Sequence, residues 1–62
     1  MNTQFTDQQK LAELEKEIAY RWAVFGRLVR SGKMKQTEMD FRIGVMQAIR
    51  DEIRNRVQGR LL

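Results

Sequence analysis

The chain has 62 residues, 42% of them hydrophobic and 32% charged, carries a formal net charge of +4, and contains neither Cys nor His. A chain of this size buries only about 60% of the surface it exposes when unfolded, and small folds recover the deficit with disulfides, a metal or a partner subunit. Without Cys or His there is no disulfide framework and no thiolate or imidazole metal site, and the commonest nucleophile and general base are also missing, so association with another chain is the supplement left open.

Read from the N-terminus, Met1 to Lys10 is polar and reads as neither a signal peptide nor a spanning segment. No uncharged stretch approaches the roughly 20 apolar residues that a bilayer demands. The expectation is a soluble protein of the cytoplasm with no membrane partner. Thr6 followed by Gln9 has the spacing of a capping box. Leu11, Leu14, Ile18, Trp22, Phe25 and Val29 then recur every three or four residues, an apolar stripe along one helix face. Ser31 and Gly32 end the stripe, glycine being suited to the left-handed position just past a helix. A first helix is predicted over about residues 7–31 and a turn over about 32–36.

A second stripe follows: Met39, Ile43, Met46, Ile49, Ile53 and Val57. Thr37 with Asp40 offers a cap for a helix over about residues 37–58, and a start one turn earlier, at Lys35 with Glu38, is also compatible. Gly59 is expected to interrupt the helix. Gly44, in mid-helix, reads either as a point of close approach beneath Trp22 or as a tolerated cost of about 1 kcal/mol. Because short connections make antiparallel neighbours, the fold class is all-α, an antiparallel two-helix hairpin in one domain spanning 1–62. Registered about the turn, Phe25 faces Ile43 and Trp22 faces Met46, while Glu13 and Glu17 fall near Arg50 and Arg54.

Phe41, Val45 and Ala48 widen the apolar face of the second helix, as Val24 and Leu28 widen that of the first. One facing helix cannot cover such widths, so the hairpin is expected to pair with itself into a four-helix bundle. Trp22, Phe25, Phe41, Val45, Met46 and Ile49 are the candidate residues for that oligomer core.

Part of this sequence resembles a known group. The runs Glu17-Ile18-Ala19-Tyr20-Arg21, Val24-Phe25-Gly26-Arg27 and Val29-Arg30-Ser31-Gly32-Lys33-Met34, continuing through Gln36, Glu38, Arg42, Ile43, Met46, Ala48 and Ile49, resemble a family of very short bacteriophage and prophage proteins. That family has an arginine-rich first helix, an aromatic before a Gly-basic-Met or Gly-basic-Leu turn, and a Met-x-Ala-Ile stretch in the second helix. The likeness covers about residues 17–53. Gly26 stands where a proline is common in the family, and Lys35 where a capping Ser or Thr is common. The resemblance implies a phage accessory protein acting in a bacterial host and implies no particular activity.

Catalysis finds little support in the residues. Ser31 is the only serine and lies at a helix end, and Glu13 with Glu17 reads as a solvated pair more readily than as a cation site. No catalytic residue, cofactor or metal is expected. Charge is unevenly spread. Residues 1–19 carry a net −2, residues 20–35 carry +5 from Arg21, Arg27, Arg30, Lys33 and Lys35 with no acid, and residues 36–62 carry +1. The basic block has a plain reading as compensation of the first helix's dipole. It also has a functional one, as a patch for weak binding of nucleic-acid phosphates. The same region concentrates aromatic and arginine residues, the usual anchors of protein interfaces. Tyr20, Arg21, Arg27, Arg30, Lys33 and Lys35 are therefore the candidate partner-binding residues, with a bacterial or phage protein the expected partner and nucleic acid the alternative.

Overall fold

The computed structural model describes residues 4–61. Two helices, α1 (Asp7–Arg30) and α2 (Gln36–Leu61), pack along one another as a helical hairpin with extents of 44 × 20 × 19 Å.

Each end of α1 is closed by a dedicated device. At the start, the Gln9 backbone N–H donates to Thr6 Oγ1 (3.0 Å) while the Thr6 N–H donates to Gln9 Oε1 (2.8 Å), the reciprocal capping box that the sequence predicts. At the end, the Lys33 N–H donates to the Leu28 carbonyl (2.8 Å) and the Gly32 N–H to that of Val29 (3.0 Å). This is the Schellman pattern, and it requires a left-handed residue, which Gly32 supplies with φ of 80°. The Met34 N–H also donates to the Leu28 carbonyl (3.2 Å), and Met34 packs on the core.

The second helix departs from the predicted bounds at both ends. It begins at Gln36, with the Lys35 carbonyl accepting from the N–H groups of Glu38 and Met39 (both 3.1 Å), so the earlier of the two starts is the one adopted. The turn ties Lys33 and Met34 back to α1, and the new ladder begins at once. Asp40 does not cap; it accepts from the Gln36 side chain at 2.9 Å. At the other end α2 runs through Gly59 to Leu61. A glycine inside a helix costs about 1 kcal/mol relative to Ala but does not force a stop.

Both seams follow a stricter repeat than the predicted stripes. On α1, Asp7, Leu11, Leu14, Ile18, Arg21, Phe25 and Leu28 are each buried or half-buried, at alternating steps of four and three. On α2 the corresponding line is Met39, Ile43, Met46, Arg50, Ile53 and Val57. Two helices that stay in contact over many turns keep a 3.5-residue period, which drifts away from a straight 3.6-residue wheel. Arg21 therefore takes the place expected for Trp22, and Arg50 that expected for Ile49. Their aliphatic stems cover the seam while their charged ends reach water. Trp22 is left 48% exposed and Ile49 44% exposed. The buried apolar residues are Ile18, Phe25, Met39 and Ile43, and Val24, Leu28, Val29 and Met34 pack around the last three. Phe25 and Ile43 share this cluster, as the register requires.

The ion pairs across the seam also differ from expectation. Arg54 binds Glu15 (2.8 Å) and Arg56 binds Asp7 (3.2 Å), whereas Glu17 binds Arg21 in its own helix (3.2 Å) and Arg50 binds Asp51 (3.0 Å). Gly44 is not a point of close approach: a Cβ there would meet nothing within 4 Å.

These observations set opposite expectations for two glycines. Gly32→Ala should lower the unfolding free energy by about 1–2 kcal/mol, because alanine is strained in the left-handed region. Gly44→Ala should raise it by about 0.5–1 kcal/mol through helix propensity alone. Urea denaturation followed by circular dichroism measures both, and a loss at Gly44 would mean that its open face is covered in solution.

Candidate interaction surfaces

The hairpin offers several surfaces that its own seam does not consume. The first is the outer edge of α2, where Phe41 (71% exposed), Val45 and Ile49 stand clear of α1. Phe41, Val45 and half-buried Met46 line a shallow groove of about 190 Å³ together with Arg21 and Arg42. Arg42 roofs the core here, its Cζ 4.9 Å from the centre of the Phe25 ring, an arrangement that couples a cation to the negative face of the aromatic.

The second surface is the outer face of α1. Tyr20 is 66% exposed, and Arg27, seven residues on, lies along the same line of the helix and is also exposed. Trp22 belongs to neither surface. Arg21 and Trp22, a hundred degrees apart, flank the Ile18–Phe25 line on opposite sides, so Trp22 shares the edge on which Glu15 reaches Arg54.

The six candidates for an oligomer core thus fall into different settings. Phe25 is enclosed within the hairpin; Met46 is half-buried beside the groove; Phe41, Val45 and Ile49 form one exposed edge; Trp22 lies on the other. A surface that the sequence reading passed over is Phe5, 63% exposed, which with Gln9, Lys10 and Glu13 lines a groove at the start of α1. An apolar residue just before a helix cap commonly staples onto one five residues later. Here that position is Lys10, and the mismatch is visible in the sequence.

The third surface is the turn end. Arg27, Arg30, Lys33 and Lys35 are all exposed, and among the described residues none of the four forms an ion pair. Arg21 does not share this freedom, since Glu17 holds it. Arg27 and Arg30 complement the negative end of the α1 dipole. Lys33 belongs to the turn that closes α1, its N–H on the Leu28 carbonyl, whereas Lys35 immediately precedes α2, where the dipole is positive. Compensation of the α1 dipole therefore does not account for Lys35.

Among the described residues no group of three or more Asp and Glu side chains gathers into a set that could hold a metal ion, and no helix is long and apolar enough to cross a membrane. Compared with known proteins, the chain matches no family model, no curated protein and no solved structure at a significant level.

Because the turn-end cations make no ion pairs among the described residues, changing Arg30, Lys33 and Lys35 together to Gln should leave the thermal midpoint nearly unchanged, the charge lost at the end of α1 being offset by relief of repulsion at the start of α2. A fall worth more than about 1 kcal/mol in thermal unfolding would show that the cluster is structural.

Proposed function

We propose that this chain is a small, non-catalytic accessory protein of a bacteriophage or prophage that pairs with itself and acts in the host cytoplasm by binding a host or phage protein, inhibiting it by covering a functional surface. The phage origin and the host setting rest on the resemblance across residues 17–53. The observation that carries the binding reading is the inventory of exposed large apolar side chains: Phe5, Tyr20, Trp22, Phe41, Val45 and Ile49, against a core of four buried ones. Among the described residues these exposed side chains stand apart from the half-buried ones that line the seam, and exposed apolar side chains of this size favour association.

In this reading one surface serves self-association and another the partner. Tyr20 and Arg27 are the partner's anchors, because they combine exposure with the residue types in which interface energy concentrates.

A second reading, binding of nucleic-acid phosphates at the turn end, draws on the exposed cations Arg27, Arg30, Lys33 and Lys35, none of which forms an ion pair among the described residues. Phosphate binding needs no more than such a patch.

Two measurements test the proposal. Light scattering at micromolar concentration should give a dimer or larger species; a folded monomer there would remove the self-association half. Host proteins captured on the wild-type chain in the presence of nuclease should be lost, by tenfold or more, from Tyr20→Ala or Arg27→Ala bait, with less effect from the triple Gln change. The second reading gains instead if duplex DNA binds at submicromolar concentration in physiological salt, with a log–log salt slope near −0.9 per phosphate, and the triple change abolishes binding.

A further inference from the structure

One helix face in this molecule is complementary to itself. Immediately beside the seam line of α2, displaced by one residue, runs a second line: Glu38, Arg42, Val45, Ile49, Glu52 and Arg56. Its steps are four, three, four, three and four, the same coiled-coil period as the seam, and all six residues are exposed. In chemical type it reads acid, base, aliphatic, aliphatic, acid, base. Turned end for end, it reads base, acid, aliphatic, aliphatic, base, acid.

We infer that α2 pairs with α2 of a second copy, antiparallel and centred at the level of Gln47, so that Glu38 faces Arg56, Arg42 faces Glu52 and Val45 faces Ile49 across a two-fold axis. The inference rests on the self-association proposed above and specifies its face, direction and register. A two-fold axis makes every contact twice, giving four ion pairs around two aliphatic contacts. Phe41 and Ala48, both exposed, border the line on one side.

Other arrangements of the same face fail on charge or on burial. A parallel pair in register sets each residue against its own kind, Arg42 on Arg42 and Glu52 on Glu52. Moving the antiparallel centre to Val45 sets Glu38 against Glu52, and moving it to Ile49 sets Arg42 against Arg56. A slip of a whole heptad puts Val45 and Ile49 against charged residues and leaves no aliphatic contact on the line. Like charges brought together at an interface cost more than exposed opposite pairs return, so the arrangement centred at Gln47 is selected as much by the defects of its rivals as by its own contacts.

The arginines can serve both sets of partners. Arg56 holds Asp7 through Nε and Nη2 (3.2 and 3.5 Å), and Arg42 lies 3.7 Å from Glu38 in its own helix. A guanidinium has five N–H donors and can bridge two carboxylates.

The test reverses charges one at a time and then together. Arg42→Glu and Glu52→Arg should each weaken self-association about tenfold or more in low salt, measured by sedimentation velocity on chains whose helicity is checked by circular dichroism. Mixing the two single variants should restore the dimer, because each then supplies what the other lacks, and the double variant should restore it alone. The chain has no cysteine, so oxidation can report the register directly: a Val45→Cys copy should cross-link to an Ile49→Cys copy and not to itself. A wild-type chain that stays monomeric at micromolar concentration overturns this pairing together with the self-association it rests on. A dimer that tolerates both reversals, or one in which Val45→Cys cross-links to itself, overturns the pairing alone and leaves self-association standing through another face.

Discussion

Two helices packed along a single seam can hide only the side chains that point along it, and the rest of this molecule follows from that limit. A helix has several faces and a hairpin uses one. The interior here comes down to Ile18, Phe25, Met39 and Ile43, with half-buried neighbours around them, and none of the four is completely withdrawn from water. With no Cys or His, the chain has no disulfide or zinc site to supplement so thin a core. Its remaining apolar side chains are distributed over the outside, where each surface they form is an offer of contact. Packing, charge pairing and the proposed activity are all responses to the same shortage of interior.

The hairpin was legible in the sequence because its signals are local. The capping box at Thr6 and Gln9, the glycine after Ser31 and the two apolar stripes each depend on residues a few positions apart, and a period near 3.6 is hard to mistake over twenty residues. What could not be read so directly was which line within each stripe faces the partner helix. Trp22 and Ile49 satisfy a straight helical wheel as well as Arg21 and Arg50 do, and they are more hydrophobic. The choice falls to the arginines because the seam is long and keeps a 3.5-residue period, and because an arginine stem can line a seam while its guanidinium stays wet. A single helix holds no information about this; it is settled only when two helices must remain in contact from one end to the other. How the candidate partner-binding residues group in space was not legible in the sequence. Neighbours such as Tyr20, Arg21 and Trp22 point to three different surfaces.

The charges of this chain fall into two groups, those paired across the seam and those exposed at the turn. The acids of α1 and the arginines near the end of α2 hold the helices in register, with Glu15 to Arg54 and Asp7 to Arg56 spanning the seam. The cations of the turn do no such work. Lys33 lies in the turn that closes α1, and Lys35 directly precedes the positive end of the α2 dipole.

The position of the core along the hairpin has a further consequence. The cluster of Phe25, Met39 and Ile43 lies next to the turn, so its members are close in sequence and little chain entropy is lost in bringing them together. Towards the open end the seam is half-buried and carries arginine, until Arg56 and Asp7, forty-nine residues apart, close it with hydrogen bonds. Cohesion is therefore graded along the long axis, greatest at the turn and least at the far end, and backbone amide protection should decline in the same direction. Opening should therefore begin at the tips of the hairpin and reach the turn at Gly32 last.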